Sequence, residues 1–503
     1  MLKESVKFLL KDTLVYGIGG IVARFFAIFT VPIVTRVLSQ SEYGTVDAAM
    51  AFVGIFASLI ILGQDSAIAR FFYDKGGEET WMRDVASTSL LIQLILMVIG
   101  LVVFLMLSDD IGRLIYPGNS PVAGYWKVAL LGIPGSAMLL FSINIFKWTF
   151  QKTKFLIISL GSTIFTVALT VYLVAYLRWG VIGAILPNVF SGAVFGIFGI
   201  ILNRRYISFG NMFQNTRLAR KMAAYGLPCA GVMLVSSLIP SVDRFFLLRY
   251  ADLSQIGIYA VGVKVASLIL LAVGAFQIAF GPYAFSIWDK KEAPEVFAKL
   301  FKLYIMGLSF IAVILCALWD VIIMVFASGK YASSFLVLPL LLMSHIFQGA
   351  TEFTSLGVSW AKKMVFTFVL YTISTAILFM SNYLLVPYFT IVGAALSLLI
   401  ANICLNVLYY LISTRFYRIR IDFKAASATL VIAGLVFALS YLDYYFKNNV
   451  TYIVKTASVF CFPVACFFAV FSSAEREGIT QYVRKSYKQC SKACVKERSR
   501  SLY

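Results

Sequence analysis

Charge is scarce in this sequence and histidine is nearly absent. Only 13% of the 503 residues are Asp, Glu, Lys or Arg, and His345 is the single histidine. One histidine excludes paired-histidine motifs and most histidine-based metal sites. Neither a nucleophile elbow nor a phosphate-cradling glycine loop occurs, so the sequence offers no catalytic constellation and calls for no cofactor or metal. The seven cysteines form no framework. Cys229, Cys316, Cys404, Cys461 and Cys466 fall in apolar runs. Cys490 and Cys494 lie in a basic tail, where a reducing cytosol leaves thiols free. Long polar segments are also missing. The Ser108–Val122 connection, with its Tyr116-Pro117-Gly118-Asn119 turn, is too short to hold a folded domain.

What is present is apolar surface. Hydrophobic residues make up 61% of the chain, and the mean hydropathy is +0.88. About fourteen runs of roughly 20 apolar residues can be read. They lie near 13–35, 46–68, 85–107, 123–146, 155–177, 181–202, 224–248, 257–280, 301–327, 335–358, 364–386, 391–413, 425–443 and 451–471. They lack the alternation of barrel strands and exceed their length, so an all-α integral membrane protein with about 14 transmembrane helices is expected. The excess of 43 Lys and Arg over 23 Asp and Glu gives a net charge of +20. With the N-terminus inside, most of these cations fall on cytoplasmic segments, as the positive-inside rule requires. Both termini are then cytoplasmic. The basic surface faces anionic membrane lipids rather than nucleic acid.

The sequence also repeats itself. Residues 14–199 and 224–413 align at an offset of about 210 positions. Val181-Ile182-Gly183-Ala184 matches Ile391-Val392-Gly393-Ala394, and Tyr73, Lys152 and Arg205 recur as Tyr283, Lys362 and Arg415. Nearer the start of the unit, Arg36, Ser41 and Gly44 meet Arg249, Ser254 and Gly257. The reading is a six-helix lobe at 1–203, a cytoplasmic linker at 204–222 and a second six-helix lobe at 223–416. Two additional helices at 417–472 and a basic tail at 473–503 follow. Duplicated bundles bind at the interface of their halves and move by rocking, which points to transport.

The few deep charges are the candidate site. Arg24 lies roughly 16 Å into the first run at 1.5 Å per residue. A central arginine costs about 2.5–3.5 kcal/mol on insertion scales, so it faces a wet cavity or a carboxylate. It either binds an anion such as phosphate or forms an internal ion pair. Asp243 and Arg244 are separated by about 100° around a helix and cannot share one narrow face. Lys264 enters the eighth run by roughly 10 Å, within snorkelling reach of the interface. Asp65 and Glu352 either neutralise a basic neighbour or exchange H+ or Na+ during coupling. His345 is either a satisfied core histidine or a proton carrier. Asp47 starts the second run and could simply cap that helix. Asn144, Asn188, Gln277, Asn402 and Asn406 line a cavity or bond between helices.

Two segments carry a family likeness. They are Gly63-Gln64-Asp65-Ser66-Ala67-Ile68-Ala69-Arg70-Phe71-Phe72, and Arg36-Val-Leu-Ser-Gln-Ser-Glu-Tyr43-Gly44. With Asp243-Arg244-Phe-Phe-Leu and Gly257-Ile-Tyr259-Ala260-Val-Gly-Val-Lys264, they resemble polysaccharide-type flippases. These form the O-antigen branch of the multidrug/oligosaccharidyl-lipid/polysaccharide (MOP) exporter superfamily. The resemblance implies two six-helix lobes around a central cationic cavity. It implies a polyprenyl-pyrophosphate-linked oligosaccharide moved to the outer leaflet of a prokaryotic membrane, alongside polysaccharide polymerase machinery. Arg24, Lys264 and Arg244 would bind the substrate. Asp65, Asp243, Glu352 and His345 would balance charge or couple to H+ or Na+. The two extra helices depart from the twelve-helix pattern and keep a lipid II flippase open. A cation-coupled multidrug exporter would want dominant carboxylates, and a multispan glycosyltransferase or polymerase would want a large acidic external loop.

Overall fold

The computed structural model describes residues 19–20, 22–23, 25–76, 78–115, 122–208, 215–361, 363–419, 421–446, 448–471, 473 and 475–477. All regular structure among them is helical. The chain opens with α1 (Thr30–Val37), α2 (Gln40–Ala51), α3 (Val53–Ile61), α4 (Gln64–Phe71), α5 (Glu79–Met106) and α6 (Ser108–Ile115). Next come α7 (Val122–Leu130), α8 (Ile133–Trp148), α9 (Lys152–Thr170), α10 (Gly180–Leu202), α11 (Thr216–Tyr250), α12 (Leu253–Ala266) and α13 (Ile269–Ile287). The remainder is α14 (Ala293–Ala317), α15 (Trp319–Phe326), α16 (Leu338–Thr354), α17 (Leu356–Trp360), α18 (Met364–Ser413), α19 (Phe423–Phe446) and α20 (Asn449–Val470).

Among the described residues, ten helices are long and apolar enough to cross a membrane, or up to twelve if each bent pair is one span. Two places account for the difference from fourteen. Two of the expected runs lie within α18, whose 50 residues would reach roughly 75 Å if straight, far more than a hydrocarbon core of about 30 Å. The helix is instead broken at Thr390 (φ 45°, ψ −120°), three residues after Pro387. The first expected run is described only from Gly19 onward, and its apolar helix Phe25–Val37 is short. Many outward side chains are apolar. Met106, Tyr388 and Phe460 are 78%, 82% and 75% exposed, which only a lipid environment makes favourable.

The helices form two compact units, Met1–Asp289 with Trp319–Arg418, and Lys290–Leu318 with Ile419–Tyr503. In the first unit, a core cluster joins Ala67 and Ile68 of α4 to Leu90 of α5, Phe141 and Ile145 of α8, and Met222 of α11. The start of α2 is fixed by a capping box: Glu42 N donates to Ser39 Oγ at 3.2 Å, and Ser39 N donates to Glu42 Oε2 at 2.8 Å. Between α3 and α4 the chain turns through Leu62 and Gly63, both left-handed. Gly63 tolerates φ +66° and packs so closely that a Cβ there would stand 2.2 Å from the Gly226 carbonyl oxygen.

The second unit is a three-helix group of α14, α19 and α20. Its Lys455 ammonium lies 2.5 Å from Asp443, and both side chains are largely buried. Thr451 donates a further hydrogen bond to Asp443 at 2.8 Å. Lys302 pairs with Glu475 at 2.9 Å and lies over the Phe471 ring. The segment read from sequence as the ninth run thus packs with the two C-terminal helices.

Candidate functional site

The first unit contains a close backbone contact between repeat-related residues. Glycines 44 and 257, matched by the repeat, meet where α2 crosses α12. A Cβ on Gly44 would stand 1.9 Å from the Leu253 carbonyl oxygen, and one on Gly257 would stand 2.1 Å from that of Gln40. Each glycine therefore faces the carbonyl four residues before its mate, the reciprocal pattern of a two-fold contact. Only a residue without a Cβ lets the two backbones approach so far.

A second reciprocal pair surrounds it. Arg36 Nη2 donates to the carbonyls of Met324 (3.3 Å) and Val325 (3.2 Å), near the end of α15. Its repeat mate Arg249 donates from Nη2 to the carbonyl of Leu114 (2.7 Å), near the end of α6. Leu114 and Met324 are themselves repeat-related. The last carbonyls of a helix lack intrahelical donors and carry its negative dipole end, so a guanidinium is favoured there. Ser254 donates to Gln40 Oε1 at 2.8 Å, and Gln40 donates in turn to the Lys330 carbonyl. Together these bonds hold the two repeats against each other at one end.

One turn below Gly44, Asp47 accepts from Arg244 Nε at 2.9 Å and from Nη2 at 3.4 Å. The side chains are 15% and 8% exposed. Arg244 also donates to the Pro240 carbonyl at 3.2 Å and lies over the Tyr259 ring. Asp243 points elsewhere, as the 100° step per residue dictates. It is 1% exposed and accepts from Tyr259 Oη at 2.7 Å and Asn382 Nδ2 at 3.2 Å.

Two cavities lie beside this network. One, of about 350 Å³, is lined by Asp47, Tyr43, Asn188 and the threonines of α9, and also by Lys264. The other, of about 400 Å³, is lined by Lys264, Ser267, Gln277 and Gln348. Lys264 and Ala27 belong to both. The Lys264 side chain is exposed and makes no hydrogen bond or ion pair with a described residue. Glu352 accepts from Gln277 at 2.8 Å, and His345 Nδ1 sits 3.0 Å from Gln348 Oε1. Both titratable groups therefore reach the larger cavity through an amide that lines it.

The structure brings Lys264, Arg244 and Asp243 to one region, with Glu352 and His345 one amide away. Arg244 is held by Asp47 rather than free. Asp65 is part-buried, its Oδ1 has no partner among the described residues, and it lines neither cavity. Arg24 lies outside the described residues. Asp47 does not cap a helix, because Ser39 does so; its carboxylate serves the ion pair instead. Of the amides, Asn402 donates to Ser344 and Asn406 to the Phe347 carbonyl, bonding helix to helix, whereas Asn188 and Gln277 line cavities. Of the Asp243 partners, Tyr259 falls within the Gly257–Lys264 motif, whereas Asn382 carried no sequence signal. The Asp47–Arg244 pair did carry one, since both are opposite charges in apolar runs.

Residues 9–288 match the family model of the polysaccharide biosynthesis protein. The chain is 23% identical over 282 residues to an uncharacterized membrane protein of Haemophilus influenzae, covering 55% of this chain and 65% of that protein. It is also 23% identical over 402 residues to the Lsg locus putative protein 1 of the same organism, covering 76% and 94%. Its fold is similar to that of the lipid II flippase MurJ in an inward closed conformation. That likeness has a TM-score of 0.65 at 18% identity, covering 90% of this chain and 99% of MurJ. An inward-facing multidrug resistance MATE family transporter of the MOP superfamily is similar too, with a TM-score of 0.61 at 16% identity, covering 78% and 94%. The chain belongs to the polysaccharide biosynthesis protein family and is a multi-pass membrane protein with the fold of MOP-superfamily transporters.

Proposed function

We propose that this protein is a flippase for a polyprenyl-pyrophosphate-linked oligosaccharide, moved from the inner to the outer leaflet of a prokaryotic plasma membrane. The observation that carries the reading is the Lys264 ammonium, free of described partners and common to both cavities. The carboxylates around it are occupied: Asp47 by Arg244, Asp243 by Tyr259 and Asn382, and Glu352 by Gln277. An anionic substrate finds there an ammonium with no counter-charge among the described residues. Arg24, by its depth in the first run, is the second phosphate ligand in this scheme.

With both termini cytoplasmic, the Gly44–Gly257 contact and its arginine clasps seal the external end. Alternating access then requires this reciprocal contact to open while the cavity closes on the other side. Coupling to H+ or Na+ falls to Asp243, Glu352 and His345, with Asp65 as a separate carboxylate. The basic tail meets anionic lipids, and a polysaccharide polymerase receives the product.

Reconstitution tests the reading. Proteoliposomes holding the wild-type chain are expected to expose a polyprenyl-diphosphate oligosaccharide to a leaflet-restricted reagent, and to leave cationic dyes unmoved. Dye export without lipid movement would replace this function with drug export.

A further inference from the structure

The smaller cavity has a wall that phosphate chemistry does not use. Thr163, Thr166 and Thr170 follow at i, i+3 and i+7 on α9, one face of the helix, and all three line it. Their hydroxyl hydrogens are committed. Thr163 donates to the Ser159 carbonyl at 2.9 Å, Thr166 to Ser162 at 2.9 Å and Thr170 to Thr166 at 2.7 Å. A hydroxyl that has given its one hydrogen still has acceptor lone pairs. The wall is therefore a row of acceptors, spread over about 10 Å of helix. Back-bonded threonines are common in apolar helices. These differ because they share a cavity with Asn188, an exposed amide that makes no hydrogen bond to a described residue.

We propose that this wall binds the sugar hydroxyls of the substrate, while Lys264 in the same cavity takes its diphosphate. The assignment rests on the flippase reading above. A diphosphate presents only acceptor oxygens at neutral pH, so it is repelled by an acceptor row and drawn to an ammonium with three donors. A sugar presents O–H donors, which fit that row, and Asn188 supplies both donors and an acceptor. Val46, Met50 and Val167 line the same cavity and suit the C–H faces of a pyranose ring. The Asp47 carboxylate adds an acceptor whose charge is balanced by Arg244. Glycan and diphosphate are thus sorted to different helices by donor and acceptor complement alone.

The test compares affinities in detergent for polyprenyl diphosphate with and without its oligosaccharide, using the full chain. Wild type is expected to prefer the glycan-bearing lipid. A Thr166→Val, Asn188→Leu double variant is expected to lower that preference about tenfold, the scale of two lost hydrogen bonds. Thr166→Ser, which keeps the acceptor, is expected to retain the preference, and unchanged affinity of the double variant for the glycan-free lipid shows that it is folded. Equal weakening toward both lipids, or no glycan preference in wild type, overturns the wall and leaves the flippase reading standing. A wild-type chain that moves neither lipid in vesicles overturns the flippase reading, and the wall falls with it.

Discussion

Valine in place of Gly44 is expected to force apart the end of the bundle where the two repeats meet. The Cβ would stand 1.9 Å from the Leu253 carbonyl oxygen and 2.9 Å from the Gly257 nitrogen. Both are backbone atoms, so no rotamer change relieves the clash, and α2 must move away from α12. Overpacking of this kind costs about 1–3 kcal/mol, which shifts a two-state equilibrium roughly 5- to 150-fold. The arginine clasps oppose the shift, since Arg36 and Arg249 each hold carbonyls of the opposite repeat. Reaction of a Ser254→Cys reporter with an impermeant thiol reagent should therefore rise, and transport should fall by a similar factor. Unchanged labelling in the Gly44→Val background would show that this contact does not move.

The second large effect concerns the buried ion pair. Asp47→Ala leaves the Arg244 guanidinium, 8% exposed, without its carboxylate. Removing one partner of such a pair costs about 3–5 kcal/mol, because the remaining charge stays desolvated. Denaturant unfolding in detergent should register that loss. A double variant, Asp47→Ala with Arg244→Leu, should recover much of it, since no unpaired charge is left behind. A single variant within 1 kcal/mol of wild type would mean that water already satisfies the arginine.

These two sites differ in how far the sequence revealed them. Gly44 and Gly257 were matched by the repeat, and repeat mates that lie near a two-fold axis between the repeats touch one another. The opposite directions of Asp243 and Arg244 follow from helical geometry. The pairings do not, because Asp47 and Asn382 lie 197 and 139 residues away and Tyr259 sits on the next helix, so only packing brings them together. Asp47 was misread because an acidic residue early in a helix suggests a cap. The true cap, Ser39 with Glu42, stands a full eight residues earlier. The threonine face of α9 was silent because its hydroxyls satisfy themselves on the helix backbone, leaving no hydropathy signal. Hydropathy located the apolar runs but not their ends, since α18 carries two of them, one on either side of the break at Thr390.

The account stands on Lys264, a cation without a partner among the described residues, as the group that meets the substrate diphosphate. Flipping of the oligosaccharide lipid by Lys264→Ala and Lys264→Arg proteoliposomes, at matched insertion, tests it most directly. Loss of a charge-assisted hydrogen bond, worth about 1.5–3 kcal/mol, predicts a roughly ten- to hundredfold lower rate for alanine and a rate near wild type for arginine. Wild-type flipping by the alanine variant would contradict the account.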